Sequence, residues 1–362
     1  MADRIEWITD ETRLAALAAD WEGLAGQHDG TPFTRHGWFS AWWKAFGSGR
    51  RLSVCAAWRE GVLVGVLPLN RIGGRLEGPH REAPLFRPVA ADRDGLRALA
   101  HAAVDAADEE LIVPSLPVDD PAVGELTAAA RGRLTLTDPA HVSPIVDTGG
   151  DYSQFRQRTK PRWGYPLERL RRKASRDHEA RFVLVDRPEK FQETLQHGFA
   201  VESSGWKRKA GSGILSTPES ELFWRSVAEE FDRTDETRLS AIAVEGRLLA
   251  FDLALLVNGR LYLLKTGYDE QFASLRPGLV LRLAVIERCF ELGLAAHELL
   301  GHRSAWKAMF ATTERSHVRV LVYARRPAPA ARYLYRRARP RLVSAYRGAG
   351  RRLAGAAQGG GR

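Results

Sequence analysis

Sulfur is scarce in this 362-residue chain: two cysteines, Cys55 and Cys289, and two methionines. Both cysteines lie in apolar stretches and read as small core residues, and neither a disulfide framework nor a Cys/His spacing for zinc is present. No stretch reaches the about 18 consecutive apolar residues that a membrane-spanning helix needs. The opening MADRIEWITDETRL is acidic and mixed, unlike a secretory leader, and a reducing cytoplasm is the expected setting. Also missing are a Gly-x-x-x-x-Gly-Lys phosphate loop, a nucleophile elbow and a Ser-His-Asp order. These absences exclude P-loop nucleotide hydrolysis and the serine-hydrolase route, and no metal centre is expected.

What is present describes a globular protein with room for two domains, at 44% hydrophobic and 27% charged residues. A net charge of +10 would suggest a nucleic-acid partner if it were spread over the chain. It is not. From Ala324 onward there are eleven Arg and no acid, and the remainder holds 43 Lys+Arg against 44 Asp+Glu. The tail 324–362 alternates Ala, Arg, Pro and Gly, and Pro340 interrupts any helix. It is expected to be disordered, with a basic amphipathic piece able to touch anionic lipid at the membrane surface. A second basic concentration covers residues 154–181, with ten Lys/Arg against three acids. It reads either as a solvated interdomain helix or as a patch that meets phosphates.

Two stretches of like pattern fill the rest. Residues 1–150 give an amphipathic helix, then an aromatic stripe on a second helix (Trp38, Phe39, Trp42, Trp43, Phe46), which is the pattern of a core. A hairpin follows, Arg51–Trp58 and Val62–Asn70 about Glu60-Gly61. Next come a helix capped by Asp92, a buried strand from Glu109, a helix from Pro121, and two short strands, Leu134–Thr137 and Pro144–Val146. Residues 151–180 form the basic linker. Residues 181–323 repeat the theme: strand Arg181–Val185, a helix behind an Asp186 capping box running to about Gly205, and a helix opened by Thr217-Pro218. A hairpin about Glu245-Gly246, strand Leu261–Thr266, a long buried helix from Pro277 and a closing strand Val318–Tyr323 complete it. The fold class is α/β (α+β), with two copies of one mixed-sheet unit.

Residues able to do chemistry gather in the second copy. Glu202 shares a helical face with Phe191, Leu195 and Trp206. Its carboxylate either raises its pKa, as a general base would need, or pairs with Lys207 or Lys209. Asp252 is the lone acid in the apolar strand LLAFDLALLV, where a buried carboxylate requires a ligand or a partner side chain. Lys265, Tyr268 and Asp269 cluster where the central strand runs into its loop, the usual ligand position in open α/β sheets. That loop leads into Arg276-Pro277-Gly278-Leu279. This helix start has a first-turn proline and a glycine that admits a ligand to the backbone, and it suits a phosphate or another anion. His302, Trp306 and Lys307 follow the next strand end, where His302 reads as a capping or loop residue.

Five segments carry a family resemblance: TPFTRHGWFSAWW and EGVLVGVLPL, then ESSGWKRKAG, EGRLLAFDLALLVNGRLYLLKTGYDEQFASLRPG and LLGHRSAWKAMF. In that order they resemble the GNAT-fold acyltransferases of the CelD type, linked to bacterial cellulose and exopolysaccharide synthesis and related to the Fem-like double-GNAT proteins. The resemblance implies two tandem GNAT-like domains, with acyl-CoA, as acetyl-CoA, for co-substrate. The acyl group would go to an amine or hydroxyl of a sugar or exopolysaccharide precursor. The donor would lie between splayed strands Leu261–Thr266 and Ala296–Leu300, its pyrophosphate on Arg276, Pro277, Gly278 and Leu279.

The family's Glu-x-x-x-Trp-Lys falls on Glu202, Trp206 and Lys207, its Lys-x-x-Tyr-Asp on Lys265, Tyr268 and Asp269, and its aromatic-Lys pair on Trp306 and Lys307. Glu202 is the expected base and Tyr268 the acid to the thiolate, with Asp269 in the catalytic set. Trp206, Lys207, Asp252, Lys265, Trp306 and Lys307 are expected to contact the substrate. The usual GNAT pyrophosphate signature is replaced by a single Pro-Gly. Two further readings stand beside the first: a Fem-like transferase using charged tRNA, and a non-catalytic partner of polysaccharide synthesis.

Overall fold

The computed structural model describes residues 2–28, 30–159 and 163–338, and the backbone alone of Trp206. The first half runs β1 (Arg4–Ile8), α1 (Glu11–Ala16), α2 (Ala18–His28), α3 (His36–Phe46), β2 (Arg51–Arg59), β3 (Val62–Ile72), β4 (Arg75–Glu77), β5 (Val89–Ala90), α4 (Arg93–Ala106), β6 (Glu110–Pro117), α5 (Pro121–Ala129) and β7 (Leu134–Asp147). After α6 (Tyr152–Thr159) and α7 (Tyr165–His178) come β8 (Arg181–Asp186), α8 (Phe191–Glu202), α9 (Gly205–Ala210), α10 (Pro218–Asp232), β9 (Thr237–Val244) and β10 (Arg247–Val257). The chain continues through β11 (Arg260–Tyr268), α11 (Pro277–Glu291), β12 (Ala296–Glu298), α12 (Ala305–Phe310) and β13 (Thr313–Tyr323).

One sheet takes in all of these strands, in the order β1-β2-β3-β4-β6-β13-β7-β12-β11-β10-β9-β8, with β5 on β3. Neighbours are antiparallel except β4 with β6 and β11 with β12. Each half makes a meander, crosses through a helix (α4 or α11) to one parallel strand, and gives its last strand to the other half. β7 pairs with β12, and β13 with β6. β7 is a single strand of 14 residues where two short ones were expected. Pro139 and Pro144 break its local pattern, but pairing to β13 along one side and β12 along the other outweighs propensity, and Pro139 lies at a register shift.

One face of the sheet carries α2, α3, α8 and α10 over a core that runs through both halves. On the other face α4 and α5 cover the first half, and α7 and α11 the second. The aromatic stripe of α3 is core: Trp38 meets Phe223 and Trp224 of α10 edge-on at 5.4 and 6.2 Å, joining the halves.

Helix starts follow the sequence in part. Thr217 caps α10 through the Ser220 amide. Asp186 does not cap α8; it accepts from the Arg187 amide, Arg187 is drawn to Asp232 at 2.5 Å, and the helix begins later, behind Lys190. Asp92 caps α4. The Arg59 guanidinium at 2.8 Å and then the Gly95 amide at 2.8 Å hold its carboxyl down to about 2. Asp92→Ala is expected to cost about 1 kcal/mol. Because the folded pKa is depressed, this contribution is present above about pH 4 and lost as pH falls toward 2. Urea melts of wild type and variant at neutral and acid pH check both statements.

Of the basic residues in 154–181, Lys160 and Arg162 lie outside the described residues. Arg156 pairs with Glu168 at 2.8 Å and Arg171 with Glu287 at 2.5 Å. Arg169, Arg172, Lys173 and Arg176 are exposed along one stripe of α7. Residues 327–338, at the start of the tail expected to be disordered, are helical. The acids that the tail itself lacks come from the first half: Arg332 meets Glu109, just before β6, at 2.7 Å, and Arg336 meets Asp138 of β7 at 2.9 Å. The rest of the tail reading, including its contact with lipid, falls on residues 339–362, outside the described residues. Among the described residues, no helix is long and apolar enough to cross a membrane.

Candidate functional site

The site begins with an irregularity in β11. Leu253 of β10 faces Lys265, but the next residue, Ala254, faces Leu263, so β11 holds one extra residue at this point. Before this β-bulge Leu261 and Leu263 look toward α11 and Tyr262 toward the opposite core; after it the sides are exchanged. Thr266 and Tyr268 therefore reach the α11 side. Lys265, expected as a substrate contact, is turned to the other face, 3.2 Å from Glu82 and 4.7 Å from the Trp224 ring.

Parallel pairing of β11 with β12 covers only Arg260–Tyr262 against Ala296–Glu298. Leu299 then donates its N–H to Pro144 O on β7, and Leu300 and Gly301 turn through the left-handed region at φ 52° and 56°. The chain thus stays with β7 and leaves β11. Glu298, the last paired residue, is fully buried between Arg260 at 2.8 Å and Arg315 at 3.0 Å. Between the diverging strands opens a cavity of about 670 Å³. Glu202, Lys207, Tyr268, Arg276, Gly278, Leu279, Trp306 and Lys307 all line it, drawn together from five elements and their loops.

At one end stands the start of α11. Arg276, in the left-handed region (φ 46°, ψ 50°), closes the 3₁₀ turn Glu270–Leu275 and leads directly into Pro277. Pro277 has no N–H to give, and the Leu279 and Val280 amides turn back to Arg276 O. A Cβ on Gly278 would lie 3.3 Å from the Tyr268 ring, so tyrosine and helix start are in contact.

Glu202 ends α8 and is 1% exposed. Its Oε1 accepts from Lys207 Nζ at 2.6 Å and its Oε2 from the Ile214 amide at 2.7 Å. Lys207 Nζ donates as well to Thr266 O at 2.6 Å. Of the two readings of this buried acid, the structure contains the ion pair with Lys207; Lys209 is exposed. Trp206 belongs to a new helix, because α8 ends at Glu202 and α9 starts at Gly205, whose φ is 59°.

Asp252 has a structural partner. Arg282 Nη2 lies 2.7 Å from Asp252 Oδ2, with both residues at most 2% exposed. Burial pushes the Asp252 carboxyl above its ordinary range against the pull of Arg282. Arg282 Nη1 also donates to His297 Nε2 at 2.7 Å, while His297 Nδ1 donates to Leu261 O at 3.1 Å. Burial and then Arg282 hold this imidazole neutral, at about 3. Asp269 is elsewhere too: it caps the 3₁₀ turn through the Gln271 amide, pairs with Arg247 at 2.5 Å, and faces a neighbouring cleft with His197 and Ser204.

Lys307 reaches the cavity from α12. Its Nζ is 2.5 Å from Leu300 O, and burial first, then Arg282 and Lys207, push the ammonium down to about 8. Sequence reasoning missed Arg282 and His297. A signal was there: Arg282 is the lone charge among the buried residues of α11, as Asp252 is in β10, and two lone opposite charges in apolar elements call for each other.

Comparison with known proteins fits this geometry. Residues 165–308 match the family described as acetyltransferase (GNAT) domain. No curated protein matches the chain. Similar solved structures include FemX, at 12% identity over 92% of this chain and 99% of that one, with a TM-score of 0.60. The C-terminal domain of a protein described as a lysylphosphatidylglycerol synthetase from Agrobacterium fabrum has 13% identity over 89% of this chain and 95% of that one, with a TM-score of 0.57. L-PGS from Bacillus licheniformis has 14% identity over 91% and 96%, with a TM-score of 0.56. At such identities the likeness is one of fold.

Proposed function

We propose that the chain is a GNAT-type N- or O-acyltransferase that takes an acyl group from acyl-CoA, with residues 1–150 and 181–323 as its two GNAT-like domains and the reaction in the second. The observation that carries the reading is the early end of β11–β12 pairing, which leaves a cavity closed at one end by the start of α11. The match of residues 165–308 to an acetyltransferase domain supports it. The thioester would lie between the strands with its phosphates toward Arg276–Leu279, where the helix dipole and Arg276 favour negative charge.

The acceptor's nitrogen or oxygen attacks the thioester carbonyl, the new bond forms as the C–S bond breaks, and the proton lost by the attacking group is replaced at the leaving thiolate by way of one acid–base side chain. Tyr268, in the cavity and against Gly278, is assigned that proton transfer. Lys307 and Lys207 face the negative charge that develops on the carbonyl oxygen. We assign Glu202 to positioning: its oxygens hold Lys207 and Ile214, and through Lys207 it fixes Thr266 of β11. Following the resemblance, the acceptor is a sugar or exopolysaccharide precursor and the setting cytoplasmic, with the tail at the membrane surface.

Tyr268→Phe should lower kcat about a hundredfold, while the thermal shift produced by CoA stays as in wild type. Full turnover by this variant would remove Tyr268 from the mechanism. No thermal shift with any acyl-CoA, where about 2.7 kcal/mol is expected at a hundredfold excess over Kd, would remove the donor.

One observation favours a second reading, with charged tRNA as donor. The exposed basic stripe of α7 lies on a helix that packs along α11 and touches the turn Glu270–Leu275 at the cavity mouth. A gel shift by charged tRNA with steep salt dependence, and no thermal shift by CoA, would select it.

A further inference from the structure

We infer that this cavity takes an anionic group at the reaction centre itself, a carboxylate or phosphate carried by the acyl chain or by the acceptor, apart from the donor's own phosphates at the α11 end. The inference rests on the acyl-transfer reading for the position of that centre. Three cations, Lys207, Arg276 and Lys307, line the cavity, and the Arg282 guanidinium stands 5.7 Å from the Trp306 ring in the wall. Glu202 is the acid among the lining residues, and its two oxygens already hold Lys207 and the Ile214 amide.

The two lysines are fixed on the two strands that part. Lys207 Nζ sits on Thr266 O of β11 at 2.6 Å, and Lys307 Nζ on Leu300 O just past β12 at 2.5 Å. The Leu300 carbonyl meets Lys307 in a turn where Leu300 and Gly301 are both left-handed, a conformation a leucine takes only at a cost. Lys207 is balanced by Glu202 and Arg282 by Asp252, but Lys307 and Arg276 meet no carboxylate among the described residues, and a carbonyl orients an ammonium without neutralising it, so the wall keeps a surplus of positive charge. The surplus is felt by Lys307, whose ammonium is destabilised by Arg282 and Lys207 in addition to burial. On the same wall Ser304 Oγ is buried and has no hydrogen-bond partner among the described residues. A neutral thioester and a neutral amine or hydroxyl meet the two lysines with negative charge only while the new bond forms, and leave the resting cavity's charge unanswered. A resident carboxylate or phosphate answers all of it through charge-assisted hydrogen bonds.

The test uses the full chain and calorimetry with CoA, acetyl-CoA and succinyl-CoA, then with inorganic phosphate and succinate added to the CoA-saturated protein. An acyl-borne anion makes succinyl-CoA bind about tenfold or more tighter than acetyl-CoA. An acceptor-borne one makes phosphate or succinate bind the CoA complex. In either case Lys307→Met abolishes the gain, and Lys307→Arg keeps most of it. Equal affinity for the two thioesters, with no binding of either free anion, overturns the proposal, and so does a gain that Lys307→Met leaves intact. Phosphate or succinate binding that depends on Lys307, in a protein that ignores CoA, upholds the anion site and sinks the CoA donor instead.

Discussion

Arg282→Met should lower stability by about 3–5 kcal/mol. Arg282 sits mid-way along α11, 1% exposed, between Asp252 and His297. The variant leaves a fully buried carboxylate without a counter-ion and a buried ring nitrogen without a donor. Burial already pushes Asp252 up, and without Arg282 the acid stays buried by taking a proton. A folded-state pKa above the unfolded value gives stability that is present at low pH and lost as pH rises. The deficit measured by denaturant melts should therefore be larger near about pH 7.5 than near about pH 5. The double variant Asp252→Leu/Arg282→Met should recover most of the loss, since apolar replacement of a whole buried pair is often close to neutral. A single variant as stable as wild type would contradict the buried pair.

Gly267→Ala should cost about 3 kcal/mol or more, at the upper end of overpacking, and take the activity with it. The added Cβ would lie 2.4 Å from Glu202 Cα and 2.9 Å from Glu202 N. That obstacle is backbone, so no change of rotamer relieves it. β11 must move off α8, and the move falls between Thr266, whose carbonyl holds Lys207, and Tyr268. Misplacement of about 1 Å at such a site costs about a hundredfold in rate. Gly124→Ala, at a helical position with nothing within 4 Å of the added carbon, is the control and should be neutral or slightly stabilising. Gly267→Ala with normal melting and turnover would mean that α8 and β11 do not meet as described.

Much of the fold was legible because its causes are local. The hairpins about Glu60-Gly61 and Glu245-Gly246 follow from residues that take positive φ, and α10 starts where Thr217 accepts its amide. The apolar run of α11 announced a buried helix. The Asp186 capping box failed because a distant residue, Asp232, took Arg187 for itself. The local pattern of β7 predicts two fragments, because the partner that joins them, β13, lies more than a hundred residues away.

The sequence by itself determined that a mixed α/β fold is repeated and that the candidate site residues lie between residues 202 and 307. Periodicity, caps and turns act over a few residues, and residue type fixes what each side chain can do. Which of those side chains meet was decided by the tertiary structure alone. The one-residue bulge in β11 sends Thr266 and Tyr268 to the cavity and Lys265 away from it. Burial on α11 pairs Arg282 with Asp252, and the turn at Leu300 sets Lys307 across from Lys207. Facing in a sheet and pairing in a core depend on contacts between segments far apart in the chain, and no local pattern encodes them.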